Sequence, residues 1–102
     1  MERLYNLSKG YNKRYPAGVN PYQIMTRLLE ECGEVASAIN LWENSGIKRQ
    51  KHGAPSKEAL ADEVKQAMAA LVQIAIYYQI ETELDASIQA SLQRMRDEGL
   101  IQ

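Results

Sequence analysis

The sequence predicts an all-α domain, and three observations support that prediction. Strong helix formers such as Ala, Leu, Glu, Gln, Lys and Arg far outnumber Val and Thr along the 102 residues. Apolar residues recur at helical spacing in three long windows. Residues that cap or stop helices stand at the window ends. We therefore expect an antiparallel helical bundle of three long helices, preceded by a short N-terminal helix over residues 2–9.

The first two long helices have clear start signals. The first is expected over 21–44, because Asn20 can cap it and Pro21 suits the first helical position. The second is expected over 57–79, with the hydroxyl of Ser56 as its cap. Antiparallel packing of these two helices across the connecting segment is the simplest arrangement.

The third long helix is expected to begin at Thr82 and to end near Gly99. Thr82 and Asp85 have the T-x-x-D spacing of a capping box. Apolar residues follow at helical spacing, and we expect them to form a core-facing stripe. These residues are Leu84, Ile88, Leu92 and Met95.

Composition limits the classes of protein that fit. The chain is 45% apolar and 25% charged and is long enough for a single domain over 1–102. Lys and Arg total 12 against 13 for Asp and Glu, which argues against binding to a nucleic-acid polymer or to an anionic membrane surface. No apolar run approaches the roughly 20 residues of a membrane span, and no secretory signal is evident, so we expect a cytoplasmic protein. The single cysteine, Cys32, is expected to be a core thiol.

Glutamates interrupt the apolar face of the first long helix. The apolar stripe comprises Ile24, Leu28, Cys32, Val35, Ile39 and Trp42. Glu31 projects from the edge of this stripe, Glu34 lies on its border, and Glu30 lies farther toward solvent. A carboxylate on a packing face must be paired, protonated or bound to a metal, because an isolated buried charge is costly.

The second long helix repeats this pattern. Its apolar stripe comprises Leu60, Val64, Ala67, Leu71, Ile74, Ala75 and Tyr78. Glu63 lies at the edge of the stripe, and Gln66 lies one step further round on the same side. In an antiparallel pair, Glu31 and Glu34 could face Glu63 and Gln66. Oxygen donors at positions i and i+3 on two facing helices suit a hard divalent cation.

A plainer interpretation of these glutamates stays open. They could be exposed helix charges that pair with Arg27, Lys65 and similar neighbours, as i,i+4 ion pairs commonly do. The basic segment between the two helices also has two interpretations, a solvated loop or a loop that contacts an anionic ligand such as a phosphate chain. Its charged residues are Lys48, Arg49, Lys51 and His52.

The two acidic elements resemble those of the MazG-like all-α nucleoside triphosphate pyrophosphohydrolases. Residues 29–35, LEECGEV, look like the E-E-x-x-E element of that family, and residues 60–66, LADEVKQ, look like its second element. Between Glu34 and Glu63 stand 28 residues, a spacing similar to that of the family. The resemblance covers roughly residues 20–96 and is concentrated in these two elements.

This resemblance implies an oligomeric helical bundle, a homodimer or homotetramer, that hydrolyses a nucleoside triphosphate to the monophosphate and pyrophosphate. It implies a Mg²⁺ cofactor, replaceable by Mn²⁺, held at Glu31, Glu34, Glu63 and Gln66. Glu30 would be a further ligand or would activate the water, which makes Glu30, Glu31 and Glu34 the catalytic candidates. Substrate binding would fall to Lys48, Arg49, Lys51 and His52.

The chain departs from the family pattern at one ligand position. The second element of the family is E-x-x-D, whereas this chain has Gln66 at the position of the aspartate. An amide oxygen can bind a hard cation but brings no charge. The alternative hypothesis is therefore a catalytically weakened or inactive relative that acts as a nucleotide-binding or oligomeric interaction module.

Apolar residues outside the main stripes also predict self-association. Ile76 and Tyr77 lie well off the stripe of the second long helix, and Trp42 and Tyr78 add further apolar surface. One small core cannot readily cover all of these side chains. We therefore expect a homodimer at least.

Overall fold

A computed structural model describes residues 1–43 and 56–102, and every regular element in these two ranges is helical. The all-α prediction is thus confirmed. The helices are α1, Glu2–Arg14; α2, Pro21–Trp42; α3, Lys57–Tyr77; and α4, Glu81–Asp97, with a 3₁₀ turn at Pro16–Gly18. None of the described helices is long and apolar enough to cross a membrane.

The predicted caps of α2 and α3 are confirmed. The side-chain oxygen of Asn20 accepts a hydrogen bond from the backbone N–H of Gln23 at 3.0 Å. Ser56 Oγ accepts one from the backbone N–H of Ala59 at 3.1 Å. Each bond satisfies one of the four N–H groups that a helix leaves unpaired at its start. Local chemistry therefore fixes where these two helices begin.

The capping box predicted at Thr82 is wrong, because α4 begins at Glu81 with Ile80 in the capping position and no side-chain cap. The end of α3 explains the shift. Gln79 adopts a left-handed φ of 55°, and the N–H of Ile80 donates to the carbonyl of Ala75 at 3.0 Å. This Schellman closure turns the chain directly into α4 at Ile80. A second closure of the same kind, at Gly99 with φ 76°, ends α4 as predicted.

Helix α1 is longer than predicted and runs parallel to α3. It continues through Gly10 to Arg14. Ser8 Oγ donates to the carbonyl oxygen of Ala69 at 3.1 Å, and Gln73 Nε2 donates to Asn12 Oδ1 at 2.9 Å. Because both bonds advance by one turn along each helix, α1 and α3 point the same way.

Helix α2 packs antiparallel to α3, as predicted. Arg27 Nη2 donates to Gln73 Oε1 at 3.2 Å, near the end of α3. One turn later in α2, Glu31 shares a cavity with Gln66, which lies two turns earlier in α3. Helix α3 is therefore the shared packing surface for α1 and α2.

The buried face of α3 is not the predicted one. The apolar core of the described residues consists of Ile24, Leu28, Ala69, Ala70, Val72 and Ala75. Of the predicted stripe only Ala75 belongs to this core, whereas Val64, Leu71 and Tyr78 are 40%, 55% and 56% exposed. The other three members, Leu60, Ala67 and Ile74, are half-buried. The alanine-rich face is the one packed, because small side chains let α1 and α2 approach α3 closely. Cys32 is exposed, so the expectation of a core thiol is also wrong.

Helix α4 does not provide the expected core stripe. None of its residues is buried. The Cα radius of gyration is 16.7 Å, whereas a compact domain of about 100 residues has roughly 13 Å. The chain thus leaves much of its apolar surface uncovered on α3 and α4.

Replacement of Gly10 by alanine is expected to stabilise the fold. Gly10 lies within α1, and an added Cβ would meet no atom within 4 Å. Alanine is a better helix former than glycine by about 0.5–1 kcal/mol, so the unfolding free energy in urea should rise by that amount. The matched control is Gly99→Ala, which should destabilise because φ is +76° there. An unchanged or lower stability of Gly10→Ala would contradict the continuous α1.

Candidate functional site

A cavity of about 220 Å³ lies where α1 and α2 flank α3. Its polar lining comes from all three helices and from the turn after α1, while two alanines of α3 form an apolar part of the wall. The lining residues are Tyr11, Tyr15, Arg27, Glu31, Gln66, Ala69, Ala70 and Gln73. The cavity therefore combines a carboxylate, a guanidinium, two amides and two phenols.

Glu31 is the acidic group of this cavity. It is half-buried, and the loss of hydration on burial raises the pKa of its carboxyl above the ordinary value of 4.5. Repulsion from Glu63 on the facing helix raises the pKa further, followed by repulsion from Glu34 and Glu30. The expectation that Glu31 and Glu34 could face Glu63 and Gln66 stays a prediction for Glu34, whereas Glu31 lies near enough to Glu63 for the two carboxylates to repel each other.

The other predicted acidic ligands lie outside the cavity lining. Glu30 and Glu34 are exposed, and Glu63 is half-buried. Within residues 1–43 and 56–102, no three His, Cys, Asp or Glu side chains are gathered closely enough to hold a metal ion. The structure thus brings Glu31 and Gln66 together in one cavity, with the remaining carboxylates around it.

In the described ranges, no ion pair joins Arg27 or Lys65 to the glutamates of the two acidic elements. Lys65 Nζ pairs instead with Asp62 Oδ1 at 2.6 Å, on the exposed side of α3. Arg27 donates to two neutral acceptors. The negative charge around Glu31 is therefore not compensated by a cationic side chain in the described part of the chain.

Arg27 and Gln73 are the site residues that sequence reasoning missed. Gln73 is only 5% exposed, and its amide connects Asn12 of α1 to Arg27 of α2. Arg27 Nη1 also donates to the carbonyl oxygen of Gly18 at 3.1 Å. The sequence contains one signal for this face of α3. Gln66 and Gln73 are two helical turns apart, so their polar side chains lie on the same side of the helix.

The basic segment predicted to bind substrate cannot be placed relative to this cavity. Its residues Lys48, Arg49, Lys51 and His52 lie outside the described residues. The helix end expected at residue 44 lies outside them as well, whereas α2 is described up to Trp42.

Comparison of the chain with known protein families, with curated proteins and with solved structures finds no match.

Replacement of Glu31 by glutamine is expected to raise the stability of the fold at neutral pH. A carboxyl whose pKa is raised on folding favours folding below its unfolded pKa, and that contribution is lost as the pH rises through the folded value. The melting temperature of Glu31→Gln should therefore match wild type below the ordinary pKa of 4.5 and exceed it at pH 7. Each like-charge pair that is relieved contributes about 0.2–0.5 kcal/mol.

The matched control for this measurement is Glu83→Gln, an exposed glutamate of α4. Its stability should not exceed that of wild type at either pH, and at pH 7 it should fall by no more than about 1 kcal/mol, because a carboxylate in the first turn of α4 is favoured by the helix dipole. A melting temperature of Glu31→Gln at or below wild type at pH 7 would show that Glu31 is not under electrostatic repulsion.

Proposed function

We propose that this protein is a metal-dependent nucleoside triphosphate pyrophosphohydrolase that releases a nucleoside monophosphate and pyrophosphate. One observation carries the proposal. Glu31, repelled by Glu63 across the α2–α3 packing, lines the same cavity as Gln66 and Arg27. The substrate would be a standard or modified deoxynucleotide, and the role would be removal of unwanted nucleotides from the cytoplasmic pool.

The donor chemistry supports a hard divalent cation. Carboxylate and amide oxygens are the side-chain ligands that Mg²⁺ and Mn²⁺ prefer, and like-charged carboxylates that repel one another gain stability when a cation is shared between them. Glu31 and Gln66, which line the cavity, would hold this cation. Glu34 and Glu63 are not gathered with Glu31 in the described structure, so their side chains would have to rotate toward the cation to join it. When bound, it would polarise a phosphoryl oxygen and lower the pKa of a coordinated water.

The other groups of the cavity support the binding of a phosphorylated ligand. Arg27 contributes a positive charge, which attracts a phosphate group. The rings of Tyr11 and Tyr15 are available to a nucleobase, since aromatic side chains stack on bases of any sequence. Glu30, on the exposed side of α2, could orient or deprotonate the attacking water.

A nucleotide-binding or oligomeric interaction module without catalysis is the second candidate function. Gln66 favours it, because this side chain lines the cavity at the position where the resemblance expects an aspartate. With one carboxylate fewer, the affinity for Mg²⁺ falls while the cavity itself is retained. Under this alternative a nucleotide would bind and stay intact.

Pyrophosphate release from a panel of nucleoside triphosphates, measured with Mg²⁺ or Mn²⁺, tests the proposed reaction. We expect release from at least one nucleotide and a loss of about 100-fold or more in Glu31→Gln, because a cation ligand is removed. Gln66→Asp should raise the rate about tenfold by restoring a charged ligand. Glu83→Gln is the matched control and should retain full activity.

The outcome that would contradict the reaction is absence of release from every nucleotide at high protein concentration. Strong release by Gln66→Asp alone would identify the chain as a weakened relative. Isothermal titration of wild type and Glu31→Gln with Mn²⁺ tests the cation site separately.

We also propose that the chain forms a homodimer or homotetramer. The uncovered apolar residues of α3 support this, with Met68 and Leu71 46% and 55% exposed on one face. Burial of such a patch against a second copy removes apolar area from water.

Light scattering is expected to give at least twice the monomer mass of 11.5 kDa. Leu71→Glu should shift the mass toward the monomer, because a charge would be buried in the interface. The matched control, Gln89→Glu on the exposed side of α4, should keep the wild-type mass. A monomeric wild-type protein would contradict the proposed assembly.

A further inference from the structure

Arg27 is held in the cavity by neutral groups. Its Nη1 donates to the carbonyl oxygen of Gly18 at 3.1 Å, and its Nη2 donates to Gln73 Oε1 at 3.2 Å. A guanidinium has five N–H donors. With two of them used, three have no acceptor among the described residues. Arg27 is thus a half-buried cation with unused donors and with no ion pair in the described part of the chain.

The nearest candidate for a counter-ion on the same helix does not neutralise it. Glu31 lies one turn after Arg27, and both side chains line the cavity, yet no N···O distance of 4.0 Å or less joins them. The hydrogen bonds to Gly18 and Gln73 hold the guanidinium away from the Glu31 carboxylate. A partly desolvated cation that is stabilised only by dipoles retains a strong attraction for an anion.

We propose that Arg27 binds a phosphate group in this cavity, and that Gly18 and Gln73 are positioning residues that fix its guanidinium. The free N–H groups of a guanidinium match two oxygens of a phosphate in a bidentate contact. This phosphate site rests on the proposed function only in that a nucleotide is named as the molecule that carries the phosphate. The recognised chemistry is the same for a nucleoside triphosphate and for inorganic pyrophosphate.

Gly18 offers a way to move the guanidinium without changing any charge. A Cβ at this position would stand 2.6 Å from Arg27 Nη1, which is closer than real Cβ contacts. The contacted atom is the far end of a flexible side chain, so Gly18→Ala should displace the guanidinium and leave the backbone in place. This variant therefore tests the position of Arg27 separately from its charge.

Isothermal titration calorimetry on the full chain, in buffer with a chelator, tests the proposal. Inorganic pyrophosphate and a deoxynucleoside triphosphate are titrated separately, so that the source of the phosphate is distinguished. We expect Arg27→Gln to weaken binding at least about tenfold, and Arg27→Lys and Gly18→Ala to weaken it by several-fold because the fork geometry is lost. The matched control, Arg3→Gln, removes the same charge from the exposed side of α1 and should bind within about twofold of wild type.

The variant Glu31→Gln distinguishes failure of the phosphate site from failure of the proposed reaction, because it removes a proposed cation ligand and keeps Arg27. It should bind pyrophosphate at least as tightly as wild type, because one negative charge leaves the cavity. Arg27-dependent binding in a chain that hydrolyses no nucleotide would refute the proposed reaction and support the phosphate site.

Two results would overturn the phosphate site. The first is absence of binding of both ligands to the wild-type chain. The second is equal affinity of Arg27→Gln and Arg3→Gln. If circular dichroism shows Arg27→Gln to be unfolded, wild-type affinity in folded Gly18→Ala and Arg27→Lys would overturn it instead.

Discussion

The side-chain amide of Gln73 is the interaction on which the arrangement of the helices depends. It donates to Asn12 of α1 and accepts from Arg27 of α2, while Gln73 itself is almost fully buried in α3. A buried amide that loses a partner costs about 1–3 kcal/mol. Both partners are therefore needed at once, which fixes the positions of α1 and α2 along α3 relative to each other. The cavity lies between the two helices that this one amide connects.

Small residues on α3 make this arrangement sterically feasible. Ala69, Ala70 and Ala75 are buried, and they allow two helices to pack closely on one side of α3. Ala69 and Ala70 also line the cavity, so the same residues that permit close packing leave space for a ligand. Val64, Met68 and Leu71 stay exposed on the other side of α3. Packing through the alanine-rich face of α3 therefore has two results. The helices lie close together around the cavity, and an apolar face is left uncovered on the other side of α3.

The charges of the cavity are held apart at a cost in stability. Burial and four neighbouring carboxylates raise the pKa of Glu31, and Arg27 donates only to neutral acceptors. An ion pair between Glu31 and Arg27 would stabilise both charges. The hydrogen bonds to Gly18 and Gln73 instead hold the guanidinium away from the carboxylate. Such local conflicts are expected where a protein binds a charged ligand, because preorganised sites are commonly less stable than relaxed ones.

Local backbone chemistry explains why the sequence alone could predict the all-α class, the caps of α2 and α3 at Asn20 and Ser56, and the end of α4 near Gly99. The same sequence predicted that Glu31 and Glu34 could face Glu63 and Gln66, and of these four side chains Glu31 and Gln66 line one cavity. Which face of α3 is buried depends on how α1 and α2 pack on it, because the alanine-rich face and the face with larger apolar residues have the same helical period. The place of Arg27 in the cavity likewise depends on packing, because Gln73 lies 46 residues away in the chain and contacts Arg27 only when α2 packs on α3.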